Sequence, residues 1–110
     1  MEGLDFIKDN AVSQQQKSYF HFCTREDHPV IFHNDDEYKI GMNLFALSLK
    51  LHTGISVLTF ELMSNHIHAL FYGEDTDIRA WFKCFVKLLK HNLDHASDAI
   101  ISLEGKCFPI

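Results

Sequence analysis

Residues 55–72 read ISVLTFELMSNHIHALFY, and this stretch decides the fold. Its two ends, residues 55–62 and 66–72, are rich in β-branched and aromatic side chains, which favours strands. Met63, Ser64 and Asn65 separate them, and asparagine suits a tight turn because it tolerates left-handed backbone and bonds locally. The stretch therefore predicts two neighbouring strands of an antiparallel sheet.

The segments on either side of this hairpin predict two further strands. Residues 17–24 are rich in aromatic residues and alternate, which is typical of a strand, and residues 107–110 could add an edge strand near the end of the chain. The connection over residues 94–105 has a short apolar piece at residues 99–101.

Two amphipathic helices are predicted between the strands. Asn34 is a good N-cap for the first, which should end at Gly54, and Asp75 or Thr76 can cap the second, over residues 76–93. The predicted buried positions are Ile40, Leu44, Leu47 and Leu51 in the first helix, and Ile78, Phe82, Phe85, Leu89 and Leu93 in the second.

The order β-α-β-β-α with a final strand predicts an α+β protein with a ferredoxin-like (split βαβ) antiparallel sheet and two helices on one face. With 110 residues, 46% of them hydrophobic, the chain should form one globular domain over residues 17–110, preceded by an N-terminal arm over residues 1–16. Many unrelated proteins share this fold, so it barely narrows the function.

Two histidines in residues 61–70 (ELMSNHIHAL) are separated by one aliphatic residue. Because strand side chains alternate with a period of two, His66 and His68 should lie on one face of the sheet while Ile67 anchors the strand in the core. Neutral imidazole is a common ligand for divalent metals, so the pair predicts half of a metal site. The alternative is a chance spacing among the eight histidines of the chain.

The charge of the chain argues mildly against nucleic acid as a partner. A formal net charge of -5 has the wrong sign for a protein that neutralises phosphates. The acidic residues cluster, however, and leave a basic row along the second predicted helix at Lys83, Lys87 and Lys90. That row is either a DNA-binding surface or, more commonly, a solvated helix face.

The cysteines and the termini bear on the compartment. The chain has three cysteines, an odd number, and they lack Cys-x-x-Cys spacing: Cys23, Cys84 and Cys107. This favours a reducing compartment and inert, buried thiols. Residues 1–16 are charged and lack the apolar region of a signal peptide, and no apolar run is long enough to cross a bilayer. We expect a cytoplasmic protein.

Residues 61–70 resemble the Met-Pro-Asn-His-Val-His-Leu motif of the single-tyrosine HUH (His, hydrophobe, His) transposases, especially the REP-associated tyrosine transposases. The similarity extends over about residues 17–110, because residues 20–25 look like the family's first strand and residues 76–93 like the helix that follows the motif. Residues 105–108 are similar to its glycine-plus-aromatic segment. Only the His-x-His decamer is specific.

The resemblance implies a chemistry. In that family two histidines hold Mg²⁺ or Mn²⁺, the ion polarises a phosphate of single-stranded DNA, and a tyrosine attacks it to give a covalent phosphotyrosine. The resemblance implies that His66 and His68 are metal ligands and that Mg²⁺ or Mn²⁺ is the cofactor. It also implies single-stranded DNA with hairpin ends as the partner, and it leaves a homodimer open. Contacts to DNA phosphates are then expected from Arg25, Lys83, Lys87 and Lys90.

The departure from the family concerns the nucleophile. In the family, a Tyr-Ile-x-x-Asn-Pro-like stretch carries the nucleophile and commonly the third metal ligand. The chain stops at Ile110 before any such stretch, and none of its tyrosines matches it: Tyr19, Tyr38 and Tyr72. The catalytic residue is thus unknown. We expect a fragment of a longer nicking enzyme or a shortened protein that binds metal and DNA without nicking; the alternative is a ferredoxin-like interaction domain with structural histidines.

A third metal ligand is expected from a neighbouring strand. Tyr19, His21 and Cys23 alternate on one face of the first predicted strand, which lies beside the third in a ferredoxin-like sheet. His21 is therefore a candidate ligand or phosphate contact, unless it only hydrogen-bonds a neighbour. Weaker candidates are Glu61 and Glu74. The remaining histidines are expected in loops or near helix ends, at the surface: His28, His33, His52, His91 and His95.

Overall fold

The computed structural model describes residues 16–93 and 103–110. Its elements are β1 (Ser18–Thr24), α1 (Asp35–Lys50), β2 (Ser56–Leu62), β3 (Ile67–Gly73), α2 (Asp75–Asn92) and β4 (Gly105–Pro109). The predicted N-terminal arm, apart from Gln16, and the apolar piece at residues 99–101 lie outside the described residues.

The four strands form one sheet in the order β2-β3-β1-β4, and every neighbouring pair is antiparallel. This is the predicted α+β, ferredoxin-like arrangement. β3 and β1 are the central strands, and they pair from Ser18 opposite Gly73 to Cys23 opposite His68. None of the described helices is long and apolar enough to cross a membrane.

The two faces of the sheet differ in burial. Phe22 on β1 and Ile67, Ala69 and Phe71 on β3 are at most 3% exposed, because the helices cover their face. Period-two alternation directs the intervening side chains to the other side. We call this second side the open face; its side chains on the central strands are Tyr19, His21, Cys23, His68, Leu70 and Tyr72.

The core is centred on Trp81 of α2, which is fully buried. Its ring lies 5.3 Å from that of Phe22 and 4.9 Å from that of Phe71, so it joins the helix to both central strands. The ring of Phe45 on α1 lies 5.3 Å away on another side. The indole N–H donates to the hydroxyl of Ser48 on α1 (2.8 Å), which satisfies the polar atom of a large buried ring.

The predicted caps and buried faces of the helices are right in part. Asn34 caps α1, and its side-chain oxygen accepts from the Glu37 amide. In α2 the predicted positions are buried, but the prediction missed the fully buried Trp81. The N-cap is Glu74, without a side-chain cap bond, rather than Asp75 or Thr76.

The predicted apolar face of α1 is wrong in its second half. Leu47 is 43% and Leu51 61% exposed, whereas Phe45 and Ser48 are buried. The helix turns the side that carries Phe45 and Ser48 towards the core, because Phe45 stacks on Phe60 of β2 (4.3 Å) and packs against Trp81. The helix also ends at Lys50, with Leu51 as its C-cap, before the predicted Gly54.

Replacing Ser48 with alanine tests the buried polar contact. Ser48→Ala removes the acceptor of the Trp81 indole N–H and leaves that donor buried and unpaired, so we expect a loss of about 1–3 kcal/mol in the free energy of unfolding. Urea denaturation followed by tryptophan fluorescence measures it. The exposed Ser56→Ala is the matched control, and equal stability of the two variants would contradict the prediction.

Candidate metal centre

A tight turn brings the two motif histidines to one end of the sheet. The Met63 amide donates to the His66 carbonyl (2.8 Å), so Ser64 and Asn65 form the tip of the β2–β3 hairpin. His66 directly precedes β3, and His68 lies within it. Their half-buried rings have centroids 4.9 Å apart at 87°. The predicted juxtaposition of the two imidazoles is present.

The sequence predicted that Asn65 shapes the turn locally. In the structure its side chain also makes long-range contacts. Its amide nitrogen donates to the backbone carbonyls of Glu26 (2.7 Å) and His28 (2.9 Å), which lie in the loop between β1 and α1. The same loop is tied to the hairpin by the Ile31 and Phe32 amides, which both donate to the Ser64 carbonyl. Asn65 therefore connects two segments that are far apart in sequence.

The contacts of Asn65 also select a tautomer of His66. Carbonyl oxygens only accept hydrogen bonds, so the side-chain atom that faces Glu26 and His28 must be the Asn65 nitrogen, and the remaining atom is its oxygen. That oxygen lies 2.8 Å from Nδ1 of His66, which must carry the proton. Nε2 of His66 keeps its lone pair, the form in which a histidine binds a metal.

A carboxylate completes the first group of candidate ligands. Glu26, His66 and His68 each offer one donor atom, and these atoms lie within 4.8 Å of one another. Sequence reasoning missed Glu26 and considered Glu61 and Glu74 instead; neither belongs to a candidate metal group among the described residues. Glu26 reaches the site because β1 ends beside the hairpin turn, which the β1–β3 register decides.

A second group shares one residue with the first. His21, Cys23 and His68 also offer donor atoms within 4.8 Å of one another. Nε2 of His21 lies 3.4 Å from Nδ1 of His68, and the two rings are nearly parallel, 9° apart. His21 therefore lies beside His68, as expected, but the group that contains His66 does not include it.

A shallow cavity of about 200 Å³ adjoins the histidines. Its lining includes His21 and His68 from the central strands and Thr59 and Glu61 from β2. Glu61 pairs with His68 in the β2–β3 register, so it borders the cavity without joining either group. The cavity leaves room for a small group, such as a phosphate, beside the imidazoles.

The predicted cationic residues lie in two different places. Arg25 follows β1, next to Glu26, and its guanidinium makes two hydrogen bonds to the Asp27 carboxylate (2.9 and 2.6 Å). Those bonds and the positive charge lower the pKa of Asp27. The row at Lys83, Lys87 and Lys90 is exposed on α2, which packs on the opposite side of the sheet from the histidines.

The tyrosines lie away from Glu26, His66 and His68, although Tyr19 is two residues from His21 on the same face of β1. Tyr19 and Tyr72 pair on the open face with ring centroids 4.9 Å apart, and Tyr72 lies four residues, or about 13 Å, beyond His68 along β3. Tyr38 stacks on Phe32 and belongs to α1.

The expectation that the remaining histidines lie at the surface is wrong for His28. It is only 8% exposed, because the loop that carries it folds onto the hairpin, and its Nδ1 lies 2.7 Å from the Pro29 carbonyl. His95 lies outside the described residues.

Comparison with solved structures places this fold beside two transposases. A candidate transposase from Deinococcus radiodurans R1 superposes with a TM-score of 0.63 at 12% identity, over 91% of this chain and 84% of that one. A REP-associated tyrosine transposase, solved bound to a REP hairpin, gives a TM-score of 0.61 at 10% identity. The chain shares the fold of these two proteins.

The second match covers 91% of this chain and 62% of that transposase, so this chain spans less than two thirds of its length. No protein-family model and no curated protein sequence matches the chain. The similarity to known proteins thus rests on the backbone arrangement.

Removing the Asn65 side chain tests its hold on His66. In wild type we expect His66 to carry its proton on Nδ1, and in Asn65→Ala we expect a mixture of tautomers. Long-range ¹H–¹⁵N spectra of the imidazoles, recorded at alkaline pH where they are neutral, measure this without any metal. We also expect divalent-metal affinity to fall roughly 10- to 100-fold, the usual effect of losing an outer-shell partner. An unchanged His66 tautomer in the variant would contradict the assignment.

Proposed function

We propose that this chain is a transposase-like protein of the HUH type, which binds a divalent ion through Glu26, His66 and His68 and acts on single-stranded DNA. The observation that carries the proposal is the convergence of one carboxylate and two imidazoles at one end of the sheet. The shared fold agrees with it, and one of the two transposases of similar fold was solved on a DNA hairpin.

The donor set fits a divalent cation, and of the two ions that the family resemblance implies it favours Mn²⁺ over Mg²⁺. Mg²⁺ prefers oxygen ligands and retains several waters, whereas imidazole suits softer transition metals. Two imidazoles and one carboxylate therefore match Mn²⁺ better than Mg²⁺. When bound, the ion would act as a Lewis acid on a phosphate oxygen.

The residues of the chain have distinct tasks in this proposal. Asn65 holds His66 in the ligating tautomer and holds the backbone of Glu26 beside it. Arg25 can exchange its exposed Asp27 partner for a backbone phosphate next to the metal site. Unpaired bases would stack on exposed aromatic rings of the open face, which include Tyr19, Tyr72 and Phe108.

The proposal covers metal binding and DNA binding, and it assigns no nucleophile for strand cleavage. Neither Tyr19 nor Tyr72 lies beside Glu26, His66 and His68. HUH nicking requires a tyrosine within reach of the scissile phosphate, so the nucleophile remains unassigned among the three tyrosines of this sequence.

Metal titration by calorimetry tests the ligand set. We expect saturable Mn²⁺ binding by wild type and its loss in His66→Ala/His68→Ala and in Glu26→Gln. Glu61→Gln is the matched control, because Glu61 is an exposed carboxylate beside His68 that is outside both groups. If Glu26→Gln bound Mn²⁺ with wild-type affinity, Glu26 would not be a ligand. No Mn²⁺ binding by wild type would overturn the proposal.

A second titration with a single-stranded DNA hairpin tests the partner and the lysine row. We expect the Mn²⁺-loaded protein to bind the hairpin more tightly than the metal-free one. If Lys83, Lys87 and Lys90 contact phosphates, their joint replacement by glutamine should reduce the slope of log affinity against log salt by about 2, at roughly 0.7 per contact. Lys39→Gln/Lys50→Gln on α1 is the control. An unchanged slope in the triple variant would make the row a solvated helix face.

A further inference from the structure

The second group, His21, Cys23 and His68, is built by the pairing of the two central strands. Cys23 lies directly opposite His68, and His21 lies two residues before Cys23 on the same face of β1. The donors therefore sit on rigid elements, which hold their positions better than loops do. Cys23 and His68 are half-buried, and His21 is exposed towards the cavity.

The spacing of the two imidazoles suits a tetrahedral ion. Zinc–nitrogen bonds of 2.0–2.1 Å place two tetrahedral nitrogen ligands roughly 3.3–3.4 Å apart. Nε2 of His21 and Nδ1 of His68 lie 3.4 Å apart, at the long end of hydrogen-bond distances. The nitrogen pair thus has the separation that a shared zinc ion requires, and Cys23 lies within reach of both.

The donor chemistry of this group differs from that of the first. One thiolate and two imidazoles select borderline and soft ions, of which zinc is the common case, and three protein ligands leave a fourth position for water. With the carboxylate of Glu26 in place of a thiolate, the first group is the harder of the two. Cys107 contrasts with Cys23, because it faces α2, where burial and nearby Asp75 raise its pKa to about 11 and keep it a thiol.

We propose that His21, Cys23 and His68 bind a zinc ion, and that this ion competes with the one at Glu26 and His66 for His68. A neutral imidazole has a single lone pair, so His68 can ligate one ion at a time. Binding at Nδ1 requires its proton to sit on Nε2, and the Cys23 thiol releases its proton to solvent on ligation. Zinc would thereby withdraw a ligand from the Mn²⁺ site.

The competition rests on the proposed function, whereas the zinc site stands independently of it. Titration with Co²⁺, a spectroscopic substitute for zinc, tests the site directly. We expect thiolate-to-cobalt charge-transfer absorption that wild type and Glu26→Gln share and that Cys23→Ser lacks. Cys84→Ser/Cys107→Ser is the matched control and should retain the band. Thermal unfolding of Cys23→Ser checks that this small substitution leaves the protein folded.

A Mn²⁺ displacement experiment then tests the competition. Zinc should displace bound Mn²⁺ from wild type, detected by the return of the free Mn²⁺ electron paramagnetic resonance signal. We expect Cys23→Ser to lower the zinc affinity and to leave the Mn²⁺ affinity unchanged. Because Cys23 would be a direct ligand, the loss should be at least the roughly 10- to 100-fold that removing an outer-shell partner costs. Cobalt binding without the thiolate band, or zinc displacement that is equally strong in Cys23→Ser, would overturn the inference. A thiolate band without any Mn²⁺ binding would keep the zinc site and overturn only the proposed function.

Discussion

The antiparallel pairing of β1 with β3 determines which side chains share each face of the sheet. Phe22 lies opposite Ala69, and both are almost fully buried under the helices; the next pair, Cys23 and His68, faces the other way. A slip of one residue would turn His68 towards Trp81 and expose the core residues of one strand. Burial of the aromatic core therefore holds the register, and the register in turn assembles both groups of candidate ligands.

Polar contacts then refine what the register brings together. The Thr24 hydroxyl accepts from the Ile67 amide (2.9 Å) where β1 ends and β3 begins, and Asn65 binds two carbonyls of the loop that follows β1. Through these bonds one amide side chain positions an imidazole and the backbone of a carboxylate residue together. His68 lies between the two groups, so the same strand pair offers a harder and a softer set of donors for different ions.

Much of the fold could be predicted because its signals are local. Alternation and turn chemistry predicted the β2–β3 hairpin, and the 3.6-residue period predicted the buried side of α2. The same method failed for Leu47 and Leu51, because the buried side of α1 carries Glu37, Gly41 and Ser48 beside Phe45 and so shows no apolar period. Packing of Phe45 against Trp81 and Phe60 decides which side faces the core.

The sequence alone determined the α+β class, the hairpin and the placing of His66 and His68 side by side, because each depends on spacing along one segment. The expected neighbourhood of His21 and His68 followed from the ferredoxin-like strand order. Only the tertiary structure decided that Glu26 joins the motif histidines, that Cys23 lies opposite His68, and that Asn65 bonds to residues 37 and 39 positions away. The physical reason is that contacts between strands follow from the register, and the register is set by the burial of the whole core rather than by any local pattern.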